Sequence, residues 1–150
     1  MGMTPRQPQA GRVDWEYAVA SILVIVVAAF LLNFVGQEVR FCRRVLTGLA
    51  NGNPSVRQAI DWERLQAIGI DVGAAYAQLP SDKERREYQD AFIRSFAEGF
   101  RQQGGSVKVF THWRVEGDGT VAADYPAKNR NLLFQLSGGW RKQVVGIQWQ

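Results

Sequence analysis

The order of apolar and polar positions divides the chain into three regimes. From Tyr17 to Gln37 the sequence YAVASILVIVVAAFLLNFVGQ contains no charged residue, and from Ser21 to Leu32 it is apolar on every helical face. Its 21 residues, at a rise of about 1.5 Å each, span roughly 30 Å, the thickness of a bilayer core. Trp15 and Tyr17 stand at one end and Phe34 near the other, where interfacial aromatics anchor membrane helices. The rest of the chain is too short to enclose such a helix. The pattern predicts a short polar tail over residues 1–16, a single transmembrane helix over 17–37 and a globular domain over 38–150. A cleaved secretory signal fits less well, because the run is long, no small-x-small site follows it, and Arg40, Arg43 and Arg44 come next.

The second regime, about 38–103, is helical. Glu38 to Ala50 places Val39, Cys42, Leu46 and Leu49 on one side, continuing the apolar helix directly or after a bend at Gly36. Asn51-Gly52-Asn53-Pro54 ends it with turn chemistry. Ser55 to Ile68 reads as a second helix with Val56, Ile60, Leu65 and Ile68 inside, and Asp71 to Gln78 as a short third. Ser81-Asp82-Lys83-Glu84 fits a capping box that starts a helix running to about Gln103. There Tyr88, Phe92, Phe96 and Phe100 recur every fourth residue, with Ile93 and Ala97 beside them; the expected role of the stripe is core packing.

After Gly104-Gly105 the period changes to two. Ser106 to Glu116 alternates, with Val107, Val109, Thr111, Trp113 and Val115 on one face and Lys108, Phe110, His112 and Arg114 on the other. Gly117-Asp118-Gly119 predicts a hairpin, Thr120 to Tyr125 the return strand, Pro126 to Arg130 a turn, Asn131 to Ser137 a third strand, and Trp140 to Trp149 a fourth. In the last, Val145, Ile147 and Trp149 share a face. Short connections make this a four-stranded antiparallel meander. Helices followed by strands argue an α+β domain, about three helices on a curved sheet.

Element order from Glu38 to Gln150, with the helix end Val45-Leu46-Thr47-Gly48-Leu49-Ala50-Asn51-Gly52-Asn53, resembles the cystatin-like cone fold of the nuclear transport factor 2-like superfamily. That resemblance implies a bent sheet and helices around a pocket. It also implies Asp61, Tyr76, His112, Asp124 and Tyr125 as the side chains that an enzyme of this kind would use. His112 is expected on the polar strand face, away from catalysis. Trp113, Trp140 and Trp149 join the set as residues that edge pockets and interfaces.

Composition narrows the function classes. One Cys and one His exclude an intramolecular disulfide framework and a multi-cysteine zinc site, and no sequence signature calls for a metal or cofactor. Cys42 reads as a small helix-face residue. The chain carries a net charge of +4, but its basic residues alternate with acids, as in Asp82-Lys83-Glu84-Arg85-Arg86-Glu87. This is a solvated helix face and no nucleic-acid stripe. No phosphate loop, GxSxG or HExxH is present.

The resulting expectation is a non-enzymatic, membrane-anchored domain for binding or assembly in an envelope complex. Its partners would be the lipid bilayer and another protein or a second copy. A tethered small-ligand-binding domain or an enzyme using the cone is the rival. Basic residues flank both ends of the apolar run almost equally. A short tail ahead of an exported domain places that domain outside the cell membrane. Gly11 and Glu16 before the apolar helix also resemble a type IV prepilin site, but Arg12, Asp14 and the helices of 55–103 depart from that pattern.

Overall fold

A computed structural model of the protein describes residues 15–150; Gly11 of the prepilin-like spacing and most of the polar tail lie outside them. The chain forms two compact units, 1–34 and 35–150. In the first, the described residues are helical throughout and belong to α1 (Trp15–Ala50). None of the apolar window is buried, Phe30 and Leu32 being 69% and 74% exposed. The helix is long and apolar enough to cross a membrane. Its backbone groups are satisfied within the helix, as a span requires.

The second unit is α+β. The rest of α1 is amphipathic: Cys42, Val45, Leu46 and Leu49 are buried, while Arg40, Arg43, Arg44 and Thr47 face outward. Cys42 is thus a core residue. The long helix α3 (Asp82–Gln102) starts where the capping box places it: Ser81 Oγ accepts from the Glu84 amide at 3.2 Å and donates to Glu84 Oε2 at 2.7 Å. Short α2 (Val72–Ala77) is capped by Asp71, whose carboxylate accepts from the Ala74 amide at 2.9 Å. That bond, with one from Gln66, holds the Asp71 carboxyl below its usual pKa.

The sheet has six strands and is mixed, in the order β2-β1-β6-β5-β4-β3. The meander is present: β3 (Thr111–Gly117), β4 (Thr120–Tyr125), β5 (Arg130–Leu136) and β6 (Val144–Trp149) pair antiparallel in sequence. Two short strands, β1 (Gln66–Ala67) and β2 (Ile70–Asp71), extend it, β1 running parallel to β6. They correct the expected four-stranded sheet and also the expected helix from Ser55 to Ile68. Only Pro54–Ala59 is helical, as a 3-10 turn. Ile60 is already extended and bridges Val144, and the Asp61 amide donates to the Val144 carbonyl at 3.0 Å. Pairing with the open edge of β6 satisfies backbone groups that an edge strand leaves bare. It overrides a weak local helical pattern.

Two further corrections concern phase. Ser106 caps a 3-10 turn over Val107–Val109, so β3 starts only at Thr111 and Phe110 is buried at 2% exposure. Within β3, Thr111 pairs Asp124 and Arg114 pairs Ala122, leaving His112 and Trp113 together opposite Ala123. This is a β-bulge, with His112 at φ 46°. At the other end, Ser137 and Gln143 close a loop, and β6 starts at Val144, well after Trp140. A register shift there removes Val145 from the face of Ile147 and Trp149.

The core lies on one face of the sheet. Val121, Ala123, Leu132, Phe134 and Ile147 are buried there with Leu46 and Leu49 of α1. The opposite face carries Arg114, Thr120, Asp124, Asn131, Gln135 and Gln148, the apolar-in, polar-out arrangement of a one-sided antiparallel sheet.

Candidate functional site

The eight residues singled out from the sequence do not converge on one place. His112 and Asp124 meet on the polar sheet face, the bulge bringing His112 Nδ1 to 3.6 Å from Asp124 Oδ2. A carboxylate thus reaches the histidine from the neighbouring strand. Asp124 is also bonded by the Arg114 guanidinium, which Glu116 contacts at 2.8 Å. These two carboxylates, Asp124 first, hold the guanidinium still more firmly protonated than usual. The His112 side chain is 79% exposed and lines neither of the cavities described below. Arg114, Glu116 and Asp124 form a surface ion cluster beside it.

On the core face, Phe110 is a hub. It stacks on Trp149 at 6.1 Å, meets Tyr125 at 5.3 Å and Trp113 at 6.4 Å, and stacks on Phe100 of α3 at 6.1 Å. Trp113 stacks in turn on Phe134, with its indole N–H donating to the Phe110 carbonyl at 3.2 Å. Tyr76 stands at the other end of this aromatic line, reached through Phe100, Phe96, Phe92 and Trp62. Its hydroxyl accepts from Gln89 Nε2 at 3.1 Å, and Arg85 lies over its ring. Asp61 is apart from all of these, its carboxylate 3.8 Å from Arg64 Nε. Trp140 is apart as well, fully exposed.

The Phe stripe packs against the core as expected, but along its edge. Ile93 and Ala97 are the buried residues of α3; Tyr88, Phe92, Phe96 and Phe100 are only half-buried beside them. Phe96 and Phe100 line a cleft of about 190 Å³ with Ile68, Leu132 and Trp149, where Ser95 and Gln103 are the only side chains with polar atoms besides the tryptophan. Next to it is the β1–β2 hairpin. Its two-residue turn, Ile68-Gly69, has φ of 49° and 79°, the twist that suits a tight hairpin and favours Asn-Gly. Here the first position holds a β-branched residue in the left-handed region, a strained conformation. That isoleucine is 47% exposed, and Ile70 after it 65%.

A second, wider groove of about 590 Å³ lies along α1 and the Pro54–Ala59 turn. Arg40, Arg43 and Arg44 line it, with Asn51, Asn53 and Ser55 but no carboxylate. Arg43 also lies over the Trp113 ring. Such a wall suits an anion. No group of His, Cys, Asp and Glu able to hold a metal occurs among the described residues.

Sequence reading missed the exposure of Ile68 and Ile70 and the incomplete burial of Phe96 and Phe100. The signals were present: an apolar Ile-Gly-Ile at a turn, and the pair Ile93 and Ala97 one position from the Phe stripe. Comparisons with protein families, with curated proteins and with solved structures found no match to this chain, so the residues and their geometry carry the functional reading.

Proposed function

We propose that the chain is a single-pass membrane protein whose 38–150 domain, held on the extracytoplasmic side by residues 17–37, binds another protein in the assembly of an envelope complex and catalyses nothing itself. The nuclear transport factor 2-like resemblance supports this through element order alone. The observation that carries the reading is the apolar cleft lined by Ile68, Phe96 and Phe100, with exposed Ile70 two residues further along the same hairpin. A strained isoleucine at a hairpin tip beside incompletely covered aromatics is costly to maintain in water, and strain of this kind is retained where a contact uses it. The rival is a small-ligand pocket. The cleft beside this surface is below the roughly 300 Å³ at which ligand sites begin, whereas the groove along α1 is of ligand-site size and its arginine wall would take a small anion.

Ile68→Asn tests the proposal by separating stability from binding. Asparagine accepts the left-handed region, so relief of about 1–2 kcal/mol of strain opposes the loss of a half-buried isoleucine worth about 1 kcal/mol. The variant is expected to hold its thermal midpoint or gain up to about 1 kcal/mol. It is also expected to shift from a larger complex to a smaller one when solubilised membranes are resolved by native electrophoresis. An equally stable variant in an unchanged complex would contradict the reading.

A further inference from the structure

Among the described residues of the 35–150 unit, Trp140 is the large apolar side chain left wholly in water. The loop carrying it is closed at its base: the Ser137 amide donates to the Gln143 carbonyl at 2.8 Å, and the Gln143 amide to Ser137 Oγ at 3.0 Å. The indole is therefore presented by a structured loop and not by a frayed end. Two residues further on, Lys142 forms an ion pair with Glu38. Glu38 is the first residue after the uncharged run from Tyr17 to Gln37, so the ion pair ties the loop to the point where the chain leaves its apolar segment. Two residues of chain reach at most about 7 Å, comparable with the roughly 5–7 Å depth of the polar layer on each side of a bilayer core. Arg141 adjoins Trp140, and Arg40, Arg43 and Arg44 follow Glu38 within two turns of α1. An indole with cationic neighbours at that level is the chemistry of a headgroup-region anchor.

We propose that Trp140 seats its indole in the headgroup region of the leaflet facing the domain and so fixes the domain against the membrane. This inference rests on the membrane-spanning reading of residues 17–37. The occupant is lipid because the Lys142–Glu38 pair sets the loop at the end of the apolar run.

The test uses the full chain in vesicles of phosphatidylcholine and phosphatidylglycerol with brominated acyl chains, which quench nearby indoles. Trp15→Phe removes the other tryptophan near the apolar run, and Trp62, Trp113 and Trp149 are buried or half-buried in the domain. In that background, bromolipid quenching and a blue-shifted emission component are expected, and both should be lost on adding Trp140→Phe. Identical quenching with and without Trp140 would overturn the proposal. So would Trp140 emission, taken as the difference between Trp15→Phe chains with and without Trp140, that aqueous iodide quenches as fully in vesicles as in detergent. A chain that does not float with the vesicles would overturn the membrane reading itself, and flotation is scored first.

Discussion

Replacing Phe134 with alanine is expected to destabilise the 35–150 unit by about 3–5 kcal/mol, the range for truncating a fully buried phenylalanine. Phe134 is wholly buried at the centre of β5, paired with Val121 of β4 and Ile147 of β6, and its ring stacks on Trp113 at 6.1 Å and 24°. Alanine would leave a cavity bounded by strands on both sides, which cannot collapse without breaking sheet pairing. Phe96→Ala makes the comparison informative. Its ring is only partly buried, packed on the edge of the core beside the cleft, so truncation should cost less, about 1–2 kcal/mol of burial. Urea unfolding of the full chain in mild detergent, followed by near-ultraviolet circular dichroism, reads both. Equal losses for the two variants would mean that Phe96 is as fully enclosed as Phe134.

The second large effect is expected at Gly73. An added Cβ would lie 2.3 Å from the Glu63 carbonyl oxygen and 2.8 Å from its carbon, which are backbone atoms with no rotamer to yield. The Gly73 amide also donates to the Leu65 carbonyl at 3.0 Å, so α2 is held against the 63–65 segment at this point. Gly73→Ala should therefore cost about 1–3 kcal/mol as overpacking. Gly99 in α3 meets nothing within 4 Å, and Gly99→Ala should give the opposite sign, a gain of about 0.5–1 kcal/mol from helix propensity. Thermal midpoints of the two variants should move in opposite directions. A stabilised Gly73→Ala would show that the contact between α2 and residues 63–65 is loose.

Much of the architecture was legible because local chemistry specifies it. The apolar run from Tyr17 to Gln37, the Ser81 cap and the meander turns at Gly117–Gly119 and Pro126–Arg130 act over a few residues and need no tertiary context. What could not be read depends on partners far along the chain. Ile60 and Gln66–Ala67 are extended because β6 offers an edge some eighty residues later. Phe110 is buried because a 3-10 turn and then the His112 bulge shift the phase of a strand whose alternation looked regular. The proximity of His112 and Asp124 follows from a register that sequence does not encode locally. The offset between buried Ile93 and half-buried Phe92 is decided by which side of α3 the other elements cover. Trp140 reads as the start of a strand because Gly138-Gly139 before it signals a turn; the Ser137–Gln143 closure instead places it in a loop.

The central claim is that Ile68, Ile70, Phe96 and Phe100 form a protein-docking surface on a membrane-tethered domain. Site-specific photo-crosslinking in intact membranes of the native host tests it most directly, with a benzophenone side chain placed at Ile70 and, separately, at Gln148 on the polar sheet face. Both positions are exposed, so access alone does not distinguish them. A discrete protein adduct is predicted from position 70, absent from position 148 and lost when Ile68→Asn is added. No adduct from position 70, or the same adducts from both positions, would contradict the account.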